Sequence, residues 1–393
     1  MKKITFLFLI ISQFVCQAQW IEQITNTQKH LCGIDFIDSL TGVAVGYEGT
    51  ILRTVDGGIN WNSISSPSSE ILWKVRFYSD SIGWVSGGNG CLLKTIDGGV
   101  TWDSINSNTN ENIENTFFID ESVGWLIGLN GTLKYSNNGG ESWMDKSFNQ
   151  VDYFTDLKFI QDTVGILSGK GVLYRTNNSG LNWNKIDLTD KFIMEVFFIN
   201  EQIGWLCGED GIIYKSIDSG LSWEAQESGI NEWLQGVYFI NVDLGWAVGR
   251  HGTMVYTMDG GINWESYPNP IANNNHMISV DFINEDNGWA CAGSGRIIKY
   301  SKDPTLNTIS FNSQNLNIYP NPANETSIIH FSQPFSDVHL ALYDINGRNL
   351  GSSFFKKEYD GQYMFTRDHL DSGVYYIVIS NQEHVWSEKI VLK

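Results

Sequence analysis

The chain has 393 residues, enough for two or three domains and a substantial buried core. Its 39 glycines, 7 prolines and 15 tryptophans suit many short strands joined by tight turns, and exclude a fibrous or disordered chain. A formal net charge of −19 argues against phosphate backbones and anionic membrane surfaces as main partners.

Residues 1–18 read as a secretory signal. Lys2 and Lys3 form the basic start, Ile4 to Ile11 the apolar stretch, and Cys16-Gln17-Ala18 a small-residue cleavage site. Cleavage is expected after Ala18 rather than lipidation of Cys16, because Phe14-Val15 lacks the small residues that lipoprotein processing favours. The apolar run is too short to span a bilayer, and no later segment is apolar enough to do so. Four cysteines then remain, Cys32, Cys91, Cys207 and Cys291, with no C-x-x-C among them. They are expected as small buried hydrophobes, not as disulfides or metal ligands.

From Thr54 onward one signature, Ser/Thr-x-Asp/Asn-x-Gly-x-x-Trp, recurs every 40 or 41 residues. Its copies end at Trp61, Trp102, Trp143, Trp183, Trp223 and Trp264. A period of that length means stacked supersecondary units. A Phe followed six residues later by Gly counts the units as seven, with Phe36, Phe77, Phe118, Phe159, Phe198, Phe239 and Phe282. Each unit reads as four short strands bounded by Gly, Asn and Asp, with a Gly-x-x-Gly turn between the second and third. The signature turns the third strand into the fourth. Its acid or amide (Asp56, Asp97, Asn138, Asn178, Asp218, Asp259) accepts backbone hydrogen bonds across the turn, and its Trp folds back over the hairpin. Burying one such ring removes roughly 150–250 Å² from water, about 4–6 kcal/mol gross at about 25 cal/mol/Å².

A four-stranded sheet repeated radially is a β-propeller blade. The seventh unit lacks its box after Tyr300, whereas Trp20-Ile21-Glu22-Gln23-Ile24 looks like the segments that follow the boxes. The expected fold is therefore all-β: a seven-bladed β-propeller over 19–303, closed by an N-terminal strand carrying Trp20. With Phe-x-Asp-x-x-x-Gly-Trp, Gly-x-x-Gly and the box in order, clearest at Phe77 to Trp102 and Phe239 to Trp264, this region resembles the Asp-box (bacterial neuraminidase repeat) propellers. It is most similar to the seven-bladed photosystem II stability and assembly factors. The resemblance speaks for fold; a photosynthetic role does not follow from it.

After a polar linker, 304–316, the boxes cease. Strand-like runs at Thr326–Phe331, Val338–Asp344, Leu350–Phe355, Gln362–Thr366, Val374–Ser380 and His384–Leu392, with a hairpin signal at Asn346-Gly347-Arg348, predict a small immunoglobulin-like β-sandwich over 317–393. Tyr319-Pro320-Asn321-Pro322, Leu342-Tyr-Asp-Ile-Asn-Gly-Arg348, Leu370-Asp-Ser-Gly-Val-Tyr-Tyr-Ile377 and Glu388-Lys389-Ile390-Val391 resemble the type A C-terminal sorting domain of the type IX secretion system. That resemblance implies the type IX machinery as a partner, and a secreted or outer-surface location after Sec export through the periplasm. The competing reading is an ordinary adhesive sandwich.

No metal, cofactor, triad or phosphate-loop motif is present in the sequence. A sialidase needs an arginine cluster, but the five propeller arginines are scattered, and Arg53 and Arg175 read as outer-strand surface residues. The box acids read as structural. Strand order puts the Gly-x-x-Gly turns and the starts of the innermost strands on one face. There Glu48, Glu114, Asp156, Glu209 and Asp210 are expected to gather, either as a solvated rim or as paired carboxylates, with Arg250 and His251 nearby. Trp73 and Trp233 are the propeller tryptophans outside the pattern, so they are candidate ligand platforms or interblade filler. The expected function is a non-enzymatic, exported binding or scaffold propeller with an extracellular protein or glycan ligand. A propeller-type glycoside hydrolase is the alternative.

Overall fold

The computed structural model describes residues 19–148, 153–271, 275–301, 316–331, 339–343, 349–359, 362–380 and 385–393. The cleavage site at Ala18, the linker up to residue 315 and Asn346-Gly347-Arg348 lie outside the described residues. Two compact units result, one spanning Trp20–Tyr300 and the other holding the C-terminal residues.

Within the first unit, Leu72–Phe77, Gly83–Gly87, Leu92–Thr95 and Asp103–Ser104 pair in chain order as one antiparallel sheet. Five further sheets between Leu31 and Ser266 repeat that order. The seventh consists of Met277–Asn284, Asn287–Ala292 and Arg296–Ser301, with Gln19–Gln23 hydrogen-bonded beyond the third. Successive innermost strands contact one another, and the seventh contacts the first. Seven blades thus close a ring among the described residues. The last sheet edge is covered by the N-terminal strand instead of standing open.

The repeat markers explain the packing. Each Phe lies on the Gly paired with it across the first hairpin: a Cβ at Gly42 would sit 2.6 Å from the Phe36 ring. In the second, third, fifth and seventh blades the Trp after that Gly stacks on the Phe of the next blade. Trp84 lies 3.6 Å from Phe118, Trp205 3.4 Å from Phe239, and Trp289, across the closure, 3.5 Å from Phe36. Box tryptophans meet the same Phe edge-on, as Trp61 does on Phe36 at 5.9 Å. Trp20 takes that place in the seventh blade, edge-on to Phe282 at 5.6 Å and to Trp246 at 5.4 Å, and it is 1% exposed.

Inside the box, Thr54 Oγ1 donates to Asp56 Oδ1 (2.8 Å) and accepts from Gly58 N (2.9 Å), while Asn60 N donates to Asp56 (2.9 Å). The residue just before the box is more than surface dressing. Arg53 Nε donates to the Gly98 carbonyl at 2.8 Å and Arg175 Nε to that of Ser219 at 2.9 Å; Lys94 and Lys215 reach Gly139 and Gly260 likewise. Each latches its blade to the box of the next. This corrects the expectation for Arg53 and Arg175, whose reach across blades could not be seen within one repeat.

The C-terminal unit holds two four-stranded sheets. One contains Leu316–Tyr319, Thr326–Phe331, Gln362–Thr366 and Phe355–Tyr359; the other contains Asn349–Gly351, His339–Tyr343, Gly373–Ser380 and Val385–Leu392. Ile329, Phe365, Leu342, Ile377 and Ile390 form their shared core. The predicted single strand Leu350–Phe355 is divided between the two sheets, because Gly351 at φ 98° turns the chain there.

Candidate functional site

Alternation decides what lines the channel. In an innermost strand, side chains one and three residues before the Phe point the same way, toward the ring axis. The inner layer at one residue before is Asp35, Arg76, Phe117, Lys158, Phe197, Tyr238 and Asp281; at three before stand Lys74, Asn115, Asp156 and Glu195. Most of these charged residues escaped sequence reasoning. Aligning the seven strands on the Phe would have revealed them, since charge at every second position of an apolar strand marks a buried polar face.

Four of the acids are interblade staples. Asp281 accepts from Phe36 N (2.9 Å), Asp35 from Phe77 N (2.6 Å), Asp156 from Val196 N (2.8 Å) and Glu195 from Val237 N (3.1 Å). Lys74 and Arg76 then cross the axis from the second blade. Lys74 Nζ lies 3.4 Å from Asp156 and 3.3 Å from Glu195; Arg76 lies 3.4 Å from Asp35 and 3.1 Å from Glu195. These bridges plug the channel. Burial pushes the Asp281 carboxyl up, and the adjacent Asp35 charge adds to it; Asp35 is raised by burial as well, against the pull of Arg76. Burial and the neighbouring Arg76 push Lys158 down.

Asp156 was expected on the exposed rim, and the structure corrects that. It is 2% exposed and occupied by Asn115 Nδ2 (2.6 Å), Val196 N and Lys74. Its strand position, third before the Phe, directs it inward. Glu209 is also committed, accepting Phe192 N at 3.0 Å, while the exposed Asp210 pairs with Lys191 at 3.1 Å. The acids therefore do not assemble into a carboxylate pair. Glu114 is different. Half-buried at the mouth of the channel on the turn face, its carboxyl is pushed by burial to about 7, against the Tyr153 hydroxyl and Lys74.

Trp73 and Trp233 lie in the second and sixth blades, and no ring contact joins them among the described residues. Trp73 sits inside the mouth, edge-on to Tyr47 at 6.2 Å. Trp233 belongs to a rim that the sequence reading missed. The residue six before each Phe is His30, Ile71, Asn112, Tyr153, Phe192, Trp233 or His276, five of the seven being aromatic rings. Tyr153 meets Phe192 at 5.7 Å, and Phe192 meets Trp233 at 5.2 Å. Arg250 lies 4.0 Å over Trp233, and Lys170 lies 5.4 Å over Phe192. His251 pairs with Glu232 at 2.8 Å and stands 5.2 Å from the His276 ring. Among the described residues no cluster of three or more His, Cys, Asp or Glu is disposed to hold a metal ion. Cys32, Cys207 and Cys291 are buried and Cys91 half-buried, all as free thiols. No described helix is long and apolar enough to cross a membrane.

The ring matches, over 13–110, 100–230, 189–265 and 219–315, the family described as photosynthesis system II assembly factor YCF48. The chain belongs to the YCF48 family. Solved structures agree with its fold: YCF48 bound to D1 peptide, at 19% identity and TM-score 0.62, is aligned over 72% of this chain and 96% of that one. YCF48 from Cyanidioschyzon merolae aligns at 18% identity and TM-score 0.61 over 72% and 98%. The WD40 β-propeller domain of Doa1 aligns at 12% identity and TM-score 0.61 over 73% and 98%. Identities this low speak for the fold alone. Among curated proteins nothing matches. Residues 317–393 match the secretion system C-terminal sorting domain, so this YCF48-family propeller carries a module that implies export to the cell surface or beyond.

Proposed function

We propose that the chain is a non-enzymatic binding module, exported through the type IX machinery, that captures an extracellular protein segment on its turn face. The observation that carries this is the rim arc Tyr153, Phe192 and Trp233 with Arg250 stacked at 4.0 Å. Flat apolar rings beside a stacked guanidinium offer a rigid platform that loses little side-chain entropy on binding. A solved relative in complex with a peptide supports a peptide rather than a glycan as the partner class.

Peptide and glycan arrays with the full mature chain would identify the ligand. Trp233→Ala with Arg250→Ala should then weaken binding by roughly tenfold or more while the fold is kept. Unchanged affinity would remove this face from the reading. Deleting 317–393 should hold the protein in the periplasm; normal export without it would overturn the sorting assignment.

One observation favours the hydrolase alternative. Glu114, with its carboxyl at about 7, holds a proton near neutrality as a general acid must. A hydrolase also needs a free second carboxylate, and Asp156 is fully engaged by its three donors. Release of reducing sugar that is lost in Glu114→Gln would favour that reading over ours.

A further inference from the structure

Below the salt-bridge plug, on the box side of the ring, lies a cavity of about 500 Å³, the size of a small-molecule site. It is separated from the rim arc by the bridges of Lys74 and Arg76, so it is a different site from the one proposed above. Its walls include Phe117, Phe197 and Tyr238 from the third, fifth and sixth blades. Every carboxylate reaching it is already occupied. Asp281 accepts a backbone N–H, and Asp35, Asp156 and Glu195 each accept both a backbone N–H and a cation.

Lys158 is the exception. It lines the cavity between the two phenylalanine positions, with its Nζ 5.7 Å over the Phe117 ring. Among the described residues it has no hydrogen-bond or ion-pair partner. Lys158 is half-buried, with the carboxylates of Asp35, Asp156 and Glu195 nearby but none within hydrogen-bond reach, so an acceptor brought by a ligand in the cavity would complete it. We propose that this cavity binds a small monocarboxylate carried on an apolar body, with the carboxylate on the Lys158 ammonium and the body against Phe117, Phe197 and Tyr238. A dianion is disfavoured by Asp35, Asp156 and Glu195, which surround the same cavity. A neutral ligand would leave the ammonium unanswered.

Isothermal titration of the full chain with benzoate and 3-phenylpropionate tests this, with benzyl alcohol, benzylamine and inorganic phosphate as controls. The carboxylates should bind at one per chain and more tightly than every control. Lys158→Met should lower their affinity by roughly tenfold or more, the loss expected for one charge-assisted hydrogen bond, while Lys158→Arg should largely keep it. If Lys158→Met does not fold, benzoate should still shield Lys158 of the unaltered chain from acetylation, read by mass spectrometry. Trp233→Ala with Arg250→Ala should leave benzoate binding intact, which separates this site from the rim. No saturable carboxylate binding at millimolar concentration, unchanged affinity in Lys158→Met, or no shielding would overturn the proposal. Tighter binding of benzylamine would overturn it too, assigning the cavity to Asp35 and Asp281.

Discussion

Asp259, in the box of the sixth blade, and Asp281, in the innermost strand of the seventh, carry the same carboxylate to opposite ends. The backbone and side-chain amides of Asn263 hold Asp259 down at about 2. Burial and the Asp35 charge push Asp281 up. Both bind backbone N–H groups and both are structural, yet only the channel acid sits where desolvation outweighs its donors. The periphery therefore repeats one solved turn six times, while the axis collects acidic, basic, aromatic and amide side chains from one blade to the next. Variation among repeats, not their agreement, marks the positions free to acquire function.

The sharpest way to break that contrast is at the closure. Trp20→Ala should cost about 3–5 kcal/mol, the range for a fully buried aromatic, measured by urea unfolding of the mature chain. A loss below about 1 kcal/mol, the lower end for buried truncations, would mean the N-terminal strand does not hold the ring. A smaller effect is expected at one box. Thr257→Val leaves the Gly261 N–H without its 2.9 Å acceptor and should cost about 1–3 kcal/mol. No change would deny the box its role as a fastener.

The smallest effect probes the mouth of the channel. Glu114 has its folded carboxyl raised from 4.5 to about 7, so the folded state holds this proton more tightly than the unfolded chain does. Its share of stability is present below about 4.5 and is lost as pH rises to about 7, after which it is flat. Glu114→Gln should make the fall in melting temperature across that window shallower. A slope identical to that of the unaltered chain would show that Glu114 is not desolvated.

Much of the ring was legible because its markers answer local demands. A Phe lying on a Gly, a hydroxyl and an acid tying one turn, and a Trp covering it recur wherever the same hairpin recurs. Trp20 was legible for the same reason, as the partner a boxless seventh unit lacked. The site was less so. Asp156 looked like a rim acid because sequence order alone does not say which side of a strand faces the axis. Arg53 and Arg175 looked like surface residues because their acceptors lie in the next repeat, 45 and 44 residues away.

The amino-acid order alone settled the count of blades, the closing strand and the presence of a second, C-terminal unit, because these follow from periodicity and composition along the chain. Closing the ring settled the rest. Only there do the seven strands converge, so that Lys74 and Arg76 meet acids roughly 80–120 residues away, the channel divides in two, and Lys158 has, among the described residues, no hydrogen-bond or ion-pair partner. Charges so far apart in sequence become neighbours through ring geometry, and burial at the axis then gives each an energy that no local pattern carries.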